Sequence, residues 1–68
     1  MMNYEAHDEV NDVEIYNGAN QSDLIMELSD YIQYQNHINE SDITDEEIKN
    51  LDREALKRIG IMLFINRW

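Results

Sequence analysis

The chain contains no cysteine and no proline, and its only glycines are Gly18 and Gly60. Without cysteine there is no disulfide, no thiolate nucleophile and no Cys-based zinc site, and nothing points to an oxidising compartment. With so few helix breakers, long helices meet little resistance. No hydrophobic run approaches the roughly 20 residues of a membrane span, and no basic stretch precedes an apolar one. Neither a membrane contact nor a secretory signal is expected, and a cytoplasmic location is. The most telling absence is of positive charge: residues 1–48 hold no Lys or Arg.

Against that absence stand fifteen Asp and Glu in 68 residues, giving a formal net charge of −10. The charge is polarised along the chain, with −13 over residues 1–48 and +3 over residues 49–68. A nucleic-acid binder neutralises phosphates with a basic surface, so direct nucleic-acid binding is excluded as the expectation. Hydrophobic residues make up 43% of the chain, too many for an acidic disordered tail. A chain of this length forms a single domain, here 1–68, with a modest core. Self-repulsion weakens such a fold further, and salt, a neutralising partner or oligomerisation would offset it.

Three segments organise the chain. In residues 1–21, Met2, Ala6, Val10 and Val13 follow a helical spacing, with Glu5, Asp8, Glu9 and Asp12 alongside. Asp12 to Tyr16 alternates instead like a short strand and runs into the turn dipeptide Asn17-Gly18. The reading adopted is a short helix or an extended, short-strand arm that ends in a loop near 17–21. Over residues 22–38 the pattern predicts an amphipathic helix with Ser22 as N-cap. Leu24, Ile25, Leu28, Tyr31 and Ile32 form its apolar arc, and Asp23, Glu27, Asp30 and Tyr34 form an acidic stripe at steps of four, three and four.

Residues 44–67 are read as a helical segment. Thr44 and Glu47 form a capping box, and Asp52, which interrupts the apolar arc, is read as the N-cap of a new helix. Ile61 to Ile65 is apolar on every side, which suits a bundle centre, a core strand or a contact with another chain. The fold class expected is therefore all-α, a bundle of three or four short helices. Lys49, Arg53 and Lys57 form a ridge expected to pair with acids of the 22–38 helix.

No chemistry of catalysis or metal binding emerges. His7 and His37 lack a ligand spacing, and the run from Asp12 to Asp23 fails as a calcium loop because Tyr16 stands where an oxygen ligand is needed. There is no nucleophile elbow, phosphate loop or catalytic triad order, and no cofactor is implied. The expectation is a protein that is not an enzyme.

What remains is fixed negative charge. Carboxylates three or four residues apart on a helix rise about 4.5–6 Å per step, and phosphates of one DNA strand advance about 3.4 Å per base pair. In composition the chain is similar to the small acidic, Cys-free nucleic-acid mimics, among them phage inhibitors of host restriction, repair and CRISPR nucleases. The likeness covers no motif. It implies an inhibitor that occupies the basic nucleic-acid-binding surface of a target such as a nuclease, with a bacterial cytoplasm as the setting. Glu5, Asp8, Glu9, Asp12, Asp23, Glu27 and Asp30 would stand in for phosphates, and Tyr34 would anchor the contact. The alternative is a small assembly or regulatory module in which Ile61, Leu63, Phe64 and Trp68 dock on a partner or join a homodimer.

Overall fold

The computed structural model describes residues 1–35 and 37–67. The fold is not all-α. Three antiparallel strands, β1 (Met2–Asp8), β2 (Val13–Gly18) and β3 (Ile61–Arg67), form one sheet in the order β2-β1-β3. Between β2 and β3 come helices α1 (Gln21–Tyr34), α2 (Asp45–Lys49) and α3 (Arg53–Arg58), with a single 3-10 turn at Glu40–Asp42.

Two segments overturn the helical reading, and both do so through a period of two. In β1, Tyr4, Ala6 and Asp8 are buried while Asn3, Glu5 and His7 between them are half-buried. A helix through the same residues would have left Tyr4 off the apolar face. In the C-terminal segment, Ile61 and Leu63 are buried and pair with Asp8 and Ala6, whereas Met62 and Phe64 point to the opposite face. The expected helix over 44–67 thus stops at Arg58, and the run Ile61–Ile65 is a strand in the core layer. The N-terminal arm is the first strand of a hairpin whose second strand contains the alternating Val13–Tyr16 segment.

Gly60 makes the switch from helix to strand. Its φ of +84° is left-handed, its amide donates to Lys57 O at 3.0 Å to close α3, and its carbonyl accepts from Glu9 N at 2.9 Å. The chain therefore leaves α3 directly onto the sheet, beside the turn that joins β1 and β2.

The caps of α2 and α3 follow the sequence closely. Thr44 Oγ1 accepts from Glu47 N at 3.1 Å and Glu47 Oε1 accepts from Thr44 N at 2.9 Å, the reciprocal capping box. The Thr44 amide holds the Glu47 carboxyl below its ordinary range, with smaller help from the Thr44 hydroxyl and Arg58. Asp52 caps α3 by accepting from the amides of Glu54 and Ala55. Between α2 and α3, Leu51 adopts φ 51°, and Asp52 N reaches back to Glu47 O while Leu51 N reaches Ile48 O, both at 3.0 Å. These are the two bonds of a Schellman ending, with leucine where glycine is usual. Packing of Leu51 against the core offsets the strain. For α1 the N-cap is Asn20 rather than Ser22: its Oδ1 accepts from Asp23 N at 3.2 Å.

All the helices contribute to one core on one face of the sheet. Leu24, Leu28 and Ile32 of α1, Ile48 of α2, and Ala55 and Leu56 of α3 meet Tyr4, Ala6, Ile61 and Leu63. Each large side chain buried this way contributes about 1.5–3 kcal/mol. Helix α1 lies mainly on β2 and α3 on β3, at opposite sides of the central strand. Among the described residues no helix is long and apolar enough to cross a membrane.

Gly60→Ala tests the chain reversal. The added Cβ would lie 2.6 Å from Val10 Cγ2, at a φ that L-residues avoid. We expect a loss of about 1–2 kcal/mol, read as a drop in Tm of roughly 4–8 °C per kcal/mol. In a Val10→Ala background the steric part should disappear and the backbone part remain.

Candidate functional site: an acidic face built by α1 and β2

Helix α1 sets the geometry. With Leu24, Leu28 and Ile32 turned inward at steps of four, the neighbouring positions Asp23, Glu27, Asp30 and Tyr34 are all exposed. They form the stripe that the spacing predicts. Tyr34, at the C-terminal end, is 76% exposed.

The other predicted stripe does not exist. Glu5, Asp8, Glu9 and Asp12 were placed on one helical flank, but β1 is a strand and distributes them in three directions. Glu5 is half-buried on the face of the sheet away from the helices, opposite Phe64 on β3 and Asn17 on β2. Glu9 and Asp12 are exposed in the four-residue turn between β1 and β2, within 3.5 and 3.2 Å of the two ring nitrogens of His7. Asp8 is 0% exposed. A carboxylate sealed from solvent presents no charge to a partner, so Asp8 leaves the candidate surface.

Asp8 instead ties the hairpin turn to α1. Its Oδ1 accepts from the amides of Val10 (2.8 Å) and Asn11 (3.2 Å), and its Oδ2 accepts from Asn11 Nδ2 (3.2 Å) and from the Tyr31 hydroxyl. His37 Nε2 lies 3.4 Å from the same oxygen. Burial alone would raise the Asp8 carboxyl. The hydrogen bonds from Tyr31, the Asn11 and Val10 amides and the Asn11 side chain outweigh it and hold the group below its ordinary value. Burial, followed by the bond to Asp8, pushes the Tyr31 hydroxyl up.

The same anchoring shapes a groove between β2 and α1. A bulge between Ala6 and His7 leaves Ile15 without a partner on β1, because Ala6 pairs with Tyr16 and His7 with Glu14. Ile15, Tyr31 and Tyr34 together with Glu14, Glu27, Asp30 and Gln35 line a groove of about 300 Å³. A larger one of about 430 Å³ lies between α1 and α2, but Asp45 is the single charged group on its walls and no aromatic ring lines it.

The carboxylates sort by whether the molecule itself uses them. Asp8, Glu9, Asp12, Glu47 and Asp52 are engaged by hydrogen bonds or by histidine. Among the described residues, no Lys, Arg or His lies within ion-pair distance of Glu14, Asp23, Glu27 or Asp30. Arg58 to Glu47, at 3.0 Å, is the single ion pair there made by a Lys or Arg. The basic ridge of Lys49, Arg53 and Lys57 therefore does not neutralise α1, contrary to the sequence expectation. Helix α1 packs over β2 and α3 over β3, so Arg53 and Lys57 sit on the opposite side of β1 from the α1 acids, while Lys49 ends α2.

Of the expected docking residues, Ile61 and Leu63 belong to the core, and Phe64 is 42% exposed on the opposite face. Ile65, beyond the helical layer, is 37% exposed. Trp68 lies outside the described residues. Among the described residues no three His, Asp or Glu side chains come together as a metal site. Glu14 is the functional candidate that the helical reading missed. Its signal was the strand alternation before Asn17-Gly18, which puts it beside α1 once the hairpin closes. No protein-family model matches the chain, and no curated protein or solved structure is significantly similar to it.

Asp8→Asn keeps the shape of the side chain but sets an amide donor against the Tyr31 or Asn11 donors. We expect a loss of about 2–3 kcal/mol at pH 7. The carboxyl is depressed in the folded state, so its contribution is complete above the unfolded value of about 4 and disappears as pH falls through the folded one. Urea unfolding of both proteins from pH 7 to pH 2 should show the gap narrowing only on the acid side. A constant gap would remove Asp8 ionisation from the account.

Proposed function

We propose that the protein is a non-enzymatic inhibitor whose acidic α1–β2 face occupies the basic nucleic-acid-binding surface of a target protein and excludes the nucleic acid. One observation carries this reading: Asp23, Glu27, Asp30 and Glu14 are exposed together, with no Lys, Arg or His among the described residues within ion-pair distance. The helix and the strand set the spacing of these carboxylates, and the gain comes from charge complementarity and fast steering. The phosphate surrogates in this reading are Asp23, Glu27, Asp30 and Glu14. Glu9 and Asp12 form a weaker extension around the turn, where each lies against a ring nitrogen of His7. Glu5 faces away from α1 and does not extend the stripe.

A second reading has its own observation. β3 is a seven-residue edge strand with Phe64 and Ile65 exposed, which would suit docking on an assembly partner or a second copy. The two readings part on salt and on which residues matter.

The test is capture from a bacterial lysate at low salt, with duplex DNA as competitor. Under the mimic reading, a nucleic-acid-binding protein is retained, DNA displaces it, and affinity falls by about an order of magnitude on going to several hundred millimolar salt. Replacing Asp23, Glu27 and Asp30 together by Lys abolishes retention, whereas the same charge change at Asp42, Glu46 and Glu54 leaves most of it. Retention that ignores both salt and DNA, and that is lost on Phe64→Ser, would transfer the function to β3.

A further inference from the structure

The α1–β2 groove has a chemistry that the rest of the acidic surface lacks. Its floor is apolar and aromatic, from the half-buried Ile15 and Tyr31, with Tyr34 at its edge, and its rim carries the carboxylates of Glu14, Glu27 and Asp30. Ile15 is there because the bulge takes it out of the pairing with β1. Tyr34 extends the aromatic wall into solvent. The acids come from two elements, and among the described residues they do not form a three-ligand metal cluster. A long cation with an apolar stem suits this arrangement better than a compact one.

We propose that this groove seats an arginine side chain of the partner protein, with its methylenes on Ile15, its guanidinium plane against a tyrosine ring and its N–H groups on the rim carboxylates. The proposal deepens the reading above and rests on it for the class of partner. Arginine fits better than lysine for three reasons. The guanidinium stacks on aromatic faces, donates from five N–H groups to several acceptors at once, and sheds water at lower cost than an ammonium. The charge is complementary at the point of contact, because no cation of the chain itself competes for Glu14, Glu27 or Asp30 among the described residues. Basic nucleic-acid-binding surfaces carry arginine for the same phosphate chemistry that these carboxylates replace.

The experiment titrates the ¹⁵N-labelled full chain at low salt with the capped tripeptide acetyl-Gly-Arg-Gly-amide, and in parallel with its Lys and citrulline counterparts. The expected result is a saturable set of shifts centred on Ile15, Tyr31 and Tyr34. The Arg peptide should bind about threefold or more tighter than the Lys peptide, and citrulline should show no saturation. Tyr34→Ala, a change at an exposed position, should weaken the Arg peptide by about fivefold while the spectrum keeps its dispersion. Equal binding of Arg and Lys, or shifts spread evenly to Asp42, Asp45 and Glu46, would overturn the proposal. The outcome separates from that of the function itself. DNA-displaceable capture that survives Tyr34→Ala and Ile15→Ser removes the groove and keeps the acidic face. Selective tripeptide binding without any such capture keeps the groove and removes the mimic.

Discussion

The buried carboxylate of Asp8 is the constraint around which this small fold is arranged. It ends β1, organises the turn into β2 through two backbone amides, and reaches α1 through the Tyr31 hydroxyl. A carboxylate removed from water in this way is costly unless its lone pairs are all met, and here they are. The arrangement is also directional. It fixes the rotation of α1 about its own axis, because Tyr31 must face the turn while Leu28 and Ile32 face the sheet. That rotation in turn sends Asp23, Glu27 and Asp30 outward. The buried acid is thus responsible for how several others are displayed.

Local signals were legible where they depended on neighbours in the chain. The capping box at Thr44–Glu47, the break at Asp52 and the acidic stripe of α1 all follow from spacings of two to four residues, and the structure contains each of them. The strands were not legible in the same way. Met2, Tyr4 and Ala6 alternate with Asn3, Glu5 and His7, but Met2, Ala6, Val10 and Val13 also satisfy a helical period, and a segment this short fits both. What decides between them is β3, which is 53 residues further on by the pairing of Asp8 with Ile61. Ile61–Ile65 had the composition of a strand, rich in β-branched and aromatic residues. With no partner strand recognised at the N-terminus, though, it had nothing to pair with.

The acidic stripe expected over residues 5–12 fails for the same reason. A helix would have gathered Glu5, Asp8, Glu9 and Asp12 on one flank. A strand alternates its side chains between two faces, so Glu5 and Asp8, at an odd separation, had to part. The hairpin then supplied Glu14 in their place. The single flank expected of Glu5, Asp8, Glu9 and Asp12 followed from the wrong period, whereas Asp23, Glu27 and Asp30 are exposed on α1 as a helical period requires.

The separation of charge follows from topology. Strand order β2-β1-β3 places the hairpin's second strand and the C-terminal strand on either side of β1, about 9–10 Å apart across the sheet. The acid-only first part of the chain supplies β2 and α1 to one side, and four of the five Lys and Arg, namely Arg53, Lys57, Arg58 and Arg67, lie on α3 and β3 at the other. A chain with the same charges mixed along the sequence would have kept its net charge of −10 but spread it more evenly over the same fold. This one produces an electrical dipole on top of a net charge of −10. Close to a positive surface such a body turns before it touches, with α1 and β2 leading and the β3 edge trailing. The orientation keeps the exposed Phe64 and Ile65 away from the first contact, so the apolar edge and the acidic face are not in competition for the same encounter.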